Sequence, residues 1–248
     1  MIRNTIIQLD DVCLNLRHFV QNHRSIKQLA LSTFSRGGSF MASNRVLDKI
    51  DLKVSRGESL SIIGPNGSGK STLLRVISRI YSPTSGKVHG NPSIAPLIEL
   101  DGAFNGELTV DENIELLAMF HNVELEHISI LKRDVLSFSE LQMHSNQPMR
   151  VLSTGMKARF AFAFATSLKS DLIAIDESLS VGDINFSQKA KTKIRDLQNE
   201  GVTLILVTHD LELAREFTTK CLWIEGGKIK AYGRTKNIVS RYTKSLIR

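Results

Sequence analysis

The 248-residue sequence predicts an α/β fold: a mostly parallel sheet with an antiparallel edge sheet and a helical lobe. Three observations carry that expectation. First, the short apolar runs Leu60–Ile63, Leu172–Ile175 and Leu204–Val207 have the unbroken hydrophobic character of strands buried on both faces of a parallel sheet. Second, each run ends abruptly in glycine or polar residues: Gly64 onward, Asp176-Glu177, and Thr208-His209-Asp210. Third, helical stretches separate the runs, which is the alternation of βα units. Ligands collect beyond the carboxyl ends of parallel strands, so three polar strand ends predict one shared site.

The remaining elements follow in order. Thr5–Leu16 and Val46–Val54 read as strands of the edge sheet, and Ser71–Ile80 as the helix after the first core strand. Residues 110–145 carry apolar and charged residues at helical spacing, which predicts a separate helical subdomain over 104–150. Lys157–Leu168 reads as a helix, yet Arg159-Phe160-Ala161-Phe162-Ala163-Phe164-Ala165 within it alternates like a strand. Four alanines over 158–165 favour helix, and periodicity alone leaves the choice open. Asn185–Asn199 ends near Gly201, a residue suited to the left-handed position after a helix. Leu211–Phe217 follows Asp210, a suitable N-cap. Cys221–Glu225, Gly226-Gly227 and Lys228–Tyr232 read as a hairpin, the paired glycines supplying positive φ at the turn.

Composition narrows the class. Hydrophobic residues make up 42% and charged residues 23%, and 16 Gly with 5 Pro is too few for a collagen-like or disordered chain. No apolar stretch approaches the ~20 residues of a spanning helix. No apolar core follows Met1-Ile2-Arg3-Asn4, so the expected location is the cytoplasm. Cys13 and Cys221 have neither metal-ligand spacing nor a disulfide framework and read as packing residues. The net charge of +7 is uneven. Residues 1–47 carry six basic and two acidic residues, residues 48–225 carry 19 and 23, and residues 226–248 carry seven and none. Basic ends suit either an anionic partner or a solvated surface. No helix-turn-helix, zinc-finger or RNP pattern points to nucleic acid.

Four segments carry chemistry. Gly64-Pro65-Asn66-Gly67-Ser68-Gly69-Lys70-Ser71-Thr72 fits the P-loop pattern, with a buried strand before it and a helix after it. Its glycines let backbone N–H groups point at phosphate oxygens, and the helix N-terminus adds positive partial charge. Lys70 is placed to reach the β- and γ-phosphates, the Ser71 hydroxyl to sit on Mg²⁺, and Thr72 near the α-phosphate. Asp171–Glu177 is a buried strand ending in two adjacent carboxylates, and such neighbours need a cation or solvent between them. Beside a P-loop that cation is Mg²⁺, held by Asp176, while Glu177 is placed to polarise an attacking water. His209 ends the third strand at the same edge, where a histidine can bond a γ-phosphate. The other six histidines, including His18, His23, His121 and His144, read as surface residues. Leu152-Ser153-Thr154-Gly155-Met156 precedes a helix and offers a second helix N-terminus suited to phosphate.

In this order these segments resemble the ATP-binding-cassette ATPases over nearly the whole chain. The resemblance assigns Walker A to Gly64–Thr72, the signature to Leu152–Met156, Walker B to Leu172–Asp176, the catalytic glutamate to Glu177, the D-loop aspartate to Asp183 and the switch histidine to His209. It implies one ABC-type nucleotide-binding domain over 1–248, with a core and edge sheet from 1–103 and 151–248 and the helical subdomain at 104–150. It also implies ATP and Mg²⁺ as ligands and a head-to-tail pair of identical chains. In that pair Ser153, Thr154 and Gly155 of one copy meet the nucleotide held by the other, and closure drives a multi-pass membrane subunit.

Within the family the chain looks like the ATPases that export polysaccharides, O-antigens and teichoic acids. Its signature ends Ser-Thr-Gly-Met, its Walker B runs into Ser178-Leu179-Ser180-Val181-Gly182-Asp183, and Leu97–Phe104 replaces the common Q-loop, with Glu99 at the loop position. That likeness implies export of a lipid-linked glycan, from a peripheral position on the cytoplasmic face of the bacterial inner membrane and with no nucleic acid. Such exporters also carry an insertion like residues 15–45. Here Phe19, Ile26, Leu29, Ala30 and Phe34 recur at helix-like spacing with Arg17, Arg24 and Lys27 among them, as in a basic amphipathic helix that meets a membrane or packs on its own domain. Phe40, or else Phe34, is the expected adenine-stacking aromatic. The short segment after the last strand gives the expectation that the glycan-binding module of some relatives is lacking, and that glycan choice lies with the membrane subunit or with chain length. The competing readings are an ATPase of a drug or lipid exporter, and a soluble cassette ATPase acting on nucleic acid or ribosomes.

Overall fold

The computed structural model describes residues 4–18, 42–97, 104–176 and 183–246. Among these, the order is β1 (Thr5–His18), β2 (Ala42–Ser55), β3 (Ser59–Ile63), α1 (Lys70–Ile77), β4 (Ser85–His89), β5 (Ile94–Leu97), α2 (Val110–Phe120) and α3 (Leu125–Ser139). It continues with α4 (Thr154–Ser167), β6 (Leu172–Asp176), α5 (Ile184–Asn199), β7 (Thr203–Val207), α6 (Leu211–Phe217), β8 (Lys220–Glu225), β9 (Lys228–Arg234) and α7 (Thr235–Leu246).

The three apolar runs are β3, β6 and β7, and they are neighbours. The six-stranded sheet has the order β5-β6-β7-β3-β8-β9, parallel except for the β8–β9 hairpin. A second sheet, β2-β1-β4, is antiparallel. Alternate residues of the core strands serve opposite faces. Leu60, Ile62, Ala174, Ile205 and Val207 pack with α1 and the antiparallel sheet. Ile173, Ile175, Leu204 and Leu206 pack with Phe162 of α4, Phe186 and Ile194 of α5, and Phe217 of α6. Burial on both faces explains why these strands read as unbroken apolar runs. Each such Leu or Ile contributes about 1.5–3 kcal/mol of transfer free energy.

The segment 159–165 is helical. Phe160 and Phe164, one turn apart, face the helical lobe with Val110, Ile114 and Leu117, while Phe162 on the opposite side faces the core sheet. A helix buried all round carries no amphipathic stripe. The strand-like alternation therefore comes from a helix shared by two cores. The lobe itself starts with a capping box: Thr109 Oγ1 accepts from Glu112 N at 3.2 Å, and Glu112 Oε2 accepts from Thr109 N at 2.7 Å.

The spacing places Arg17 in a helix-like pattern, but in the structure it is a strand residue opposite Ser43, because β1 and β2 keep pairing as far as His18 and Ala42. Continued ladder bonds satisfy the backbone there, where a helix would break them. Phe19, Arg24, Ile26, Lys27, Leu29, Ala30 and Phe34 lie outside the described residues. No helix among the described residues is long and apolar enough to cross a membrane.

Candidate functional site

Gly64 leaves the end of β3 at φ 153°, and a Cβ there would lie 2.0 Å from Ile224 O of β8. Only glycine fits that passage. The loop ends at Gly69, φ 103°, where α1 begins with no side-chain cap and no acidic residue in its first turn. The first N–H groups of the helix are thus left for an anion, with the positive end of the helix dipole behind them. Ser68 is 3% exposed, and its Oγ has no hydrogen-bond partner among the described residues. A buried orphan hydroxyl costs about 1–3 kcal/mol, which a phosphate oxygen would relieve. Lys70 is 6% exposed and donates Nζ to Gly64 O and Pro65 O, each at 3.0 Å, so the loop's own carbonyls steady the ammonium. Pro65, Asn66 and Gly67 are exposed, and Ser71 and Thr72 are half-buried on the first turn of α1.

Strand adjacency brings the distant residues to this loop. Asp176 lies opposite Val207, and Val207 opposite Ile62, so β6, β7 and β3 end side by side. Ser71 Oγ donates to Asp176 Oδ1 at 3.1 Å. A hydroxyl and a carboxylate joined this way form a hard oxygen pair suited to Mg²⁺, and with Ser68 and the uncapped helix the site fits a magnesium-bound nucleoside triphosphate. His209 is exposed between two anchors. Thr208, 2% exposed, accepts from Asp210 N at 2.9 Å, and Asp210 Oδ1 accepts from Glu212 N at 2.8 Å and Leu213 N at 3.2 Å.

The other expected residues occupy separate helix ends. Ser153 caps α4, its Oγ accepting from Met156 N at 3.2 Å. Ser153, Thr154 and Gly155 are all exposed, and a Cβ at Gly155 would meet nothing within 4 Å. Asp183 caps α5 through Phe186 N at 2.9 Å. That N–H, with smaller help from Arg159, holds the Asp183 carboxyl below the usual carboxylate range. Phe40, Glu99 and Glu177 lie outside the described residues.

Two connections to the site lie outside the segments expected to form it. Gly227 N donates to Ser68 O at 3.1 Å, so the β8–β9 turn supports the P-loop. Its sequence signal is the glycine pair Gly226-Gly227, which makes the turn and also supports the loop. Met149 N and Arg150 N donate to Leu108 O and Gly106 O at 2.8 and 3.0 Å, and Arg150 pairs with Glu107. These bonds tie the approach to Ser153 to the chain that follows β5, and no local pattern announced them.

The ABC transporter family pattern matches residues 47–180. The teichoic acids export ATP-binding protein TagH of Staphylococcus haemolyticus is 35% identical over 97% of this chain and 89% of its own length. The O-antigen export system ATP-binding protein RfbB of Myxococcus xanthus is 36% identical over 79% of this chain, and TagH of Bacillus anthracis is 37% identical over 81%. The matches span 45% and 36% of the lengths of those two relatives. Among solved structures, the ATP-binding cassette MJ0796, a dimer in a post-hydrolysis state with ADP and phosphate, aligns with a TM-score of 0.74 at 22% identity, covering 93% of this chain and 99% of that one. An ATP-binding subunit of an ABC transporter aligns with a TM-score of 0.75 at 22% identity, covering 96% and 94%. Those structures share the fold, and with the matched pattern and the related sequences they lead to one conclusion: the chain belongs to the ABC transporter family of ATP-hydrolysing proteins.

Proposed function

We propose that this chain is the ATPase subunit of a bacterial exporter that moves a lipid-linked O-antigen or related surface polysaccharide across the inner membrane. The observation that carries the ATPase reading is the Ser71–Asp176 bond at 3.1 Å, formed where three core strands end beside an uncapped helix. The glycan reading is supported by the likeness to the teichoic acid and O-antigen export proteins.

In this reading the loop Gly64–Thr72 binds the phosphates, Lys70 countering charge on the β- and γ-groups. Ser71 and Asp176 would hold Mg²⁺, which when bound neutralises phosphate charge. Glu177 takes the proton of a water whose oxygen attacks the γ-phosphorus; the bond to the β-phosphate oxygen breaks, and ADP and phosphate leave. His209 bonds the γ-phosphate. Phe40 stacks on adenine, and Glu99 takes the place of the common Q-loop glutamine. Ser153, Thr154, Gly155 and Asp183 serve nucleotide held by a second copy, in a head-to-tail pair. Because closed and open pairs differ in affinity for ATP and ADP, hydrolysis drives the membrane subunit. The chain sits peripherally on the cytoplasmic face of the membrane, and the permease handles the glycan.

The test is a pull-down of tagged Glu177→Gln chain from detergent-solubilised native membranes with ATP. Recovery of one multi-pass protein, encoded beside glycan-assembly genes, is the expected result. Recovery from the soluble fraction alone, or with RNA, overturns the exporter reading.

A further inference from the structure

Glu140 ends α3 with a positive φ of 61°. Non-glycine residues seldom adopt that conformation, so the position calls for an explanation in its side chain. The carboxylate joins two other helices. Oε2 accepts from Arg159 Nη1 of α4 at 3.1 Å, and Oε1 accepts from Lys189 Nζ of α5 at 3.3 Å. Lys189 Nζ also donates to Phe138 O in the last turn of α3 at 2.9 Å, where a cation complements the negative end of the helix. The Lys189 ammonium lies 4.7 Å from the centre of the Phe138 ring, and the Arg159 guanidinium 5.9 Å from that of Phe186. Beneath the ions, Phe138, Phe162 and Phe186 pack pairwise with centroids 5.7–6.0 Å apart.

This junction crosses from the helical lobe to the core, because α3 packs in the lobe and α5 on the core sheet. The helices it joins have one thing in common: α4 begins at Ser153–Gly155, and α5 begins at Asp183. We propose that Glu140, Arg159 and Lys189 are positioning residues that make these two helix ends move as one body when the chain closes on a second copy around ATP. The inference rests on the head-to-tail reading above. Arg159 also contributes to holding the Asp183 carboxyl ionised, after the Phe186 N–H. A helix start that is presented to another molecule must be aimed by its supports, and here one carboxylate aims two.

The ions are accessible, with side-chain exposures of 56% for Glu140, 19% for Arg159 and 38% for Lys189. Largely exposed pairs contribute little to folding, so Glu140→Gln, which removes the charge and leaves one neutral acceptor for two cations, weakens the link while leaving the fold intact. The experiment places Glu140→Gln in the Glu177→Gln chain and measures the ATP-dependent monomer–dimer constant by sedimentation, with ATP binding to the monomer and the melting temperature alongside. The ATPase kcat and KM of Glu140→Gln alone are compared with those of Glu140→Asp.

The expected result is dimerisation weakened at least about fivefold, a matching fall in kcat with KM and monomer ATP affinity unchanged, and partial rescue by Glu140→Asp. Equal dimerisation with and without Glu140→Gln overturns the positioning role and leaves the head-to-tail reading standing. Loss of monomer ATP binding together with a lowered melting temperature overturns it too, because the triad would then serve the fold. Absence of an ATP-dependent dimer even with the triad intact overturns the head-to-tail reading, and the inference falls with it.

Discussion

Ser71 Oγ and Asp176 Oδ1 meet at 3.1 Å although they stand 105 positions apart in the chain. One residue lies in the first turn of a helix and the other closes a strand, and their meeting depends on β7 lying between β6 and β3. Asp176→Asn keeps the shape of this contact and removes its charge. The concentration of Mg²⁺ that gives half-maximal ATP hydrolysis should rise at least about tenfold. A Mg²⁺ titration of the purified variant checks this, and an unchanged midpoint would contradict the assigned role.

Gly64 and Gly155 should respond to alanine in opposite ways. At Gly64 the new methyl meets Ile224 O at 2.0 Å, so Gly64→Ala should cost about 3 kcal/mol or more. At Gly155 the space is open and the backbone helical, so Gly155→Ala should leave stability unchanged or raise it by up to about 1 kcal/mol. Urea melts measure both. If Gly155 contacts nucleotide on a second copy, its alanine variant should nevertheless lose ATPase activity.

Thr208 and Asp210 hold the backbone on either side of His209. Thr208→Val removes one acceptor and should cost about 1 kcal/mol of stability. It should lower kcat more than it raises KM, because nucleotide would still bind on the loop while the histidine loses its aim. Thr208→Ser keeps the acceptor and should restore most of the rate.

Burial pushes the Cys221 thiol up to about 11 from an ordinary 9.0. Above the ordinary value the unfolded chain releases this proton while the native chain retains it. The unfolded state then binds fewer protons, so stability falls as pH rises from 9.0 to about 11. Below that window the thiol contributes no pH dependence. Cys221→Ala should flatten the slope of unfolding free energy in alkaline buffer, and thiol reagents should modify the native chain slowly at pH 8.

The core strands, the hairpin and the glycine-rich turn from β3 into α1 were legible because each is a local pattern: an apolar run, paired glycines, a glycine-lysine-serine spacing. β4 and β5 were not. Ser85–His89 has no apolar face to signal a strand, with Val88 alone half-buried, and Ile94–Leu97 is four residues with Pro96 inside it. The alternating phenylalanines of α4 misled in another way, since a helix between two cores has no single polar side. Candidate residues at strand ends could be named one by one. Their adjacency was harder to foresee, because it lies in the strand order β6-β7-β3-β8.

That order bears on how the chain is made. β3 lies between β7 and β8, and the P-loop it feeds rests on Ile224 and Gly227. A chain emerging from the ribosome displays Gly64–Thr72 long before those supports exist. The loop proposed to bind phosphate therefore cannot set until some 160 residues later in synthesis, when the closing hairpin arrives. Contacts so distant in sequence are slow to form. Nucleotide can lock the finished domain but cannot nucleate it, so ribosome-stalled chains ending before residue 226 should fail to hold ATP despite carrying the whole Walker A segment.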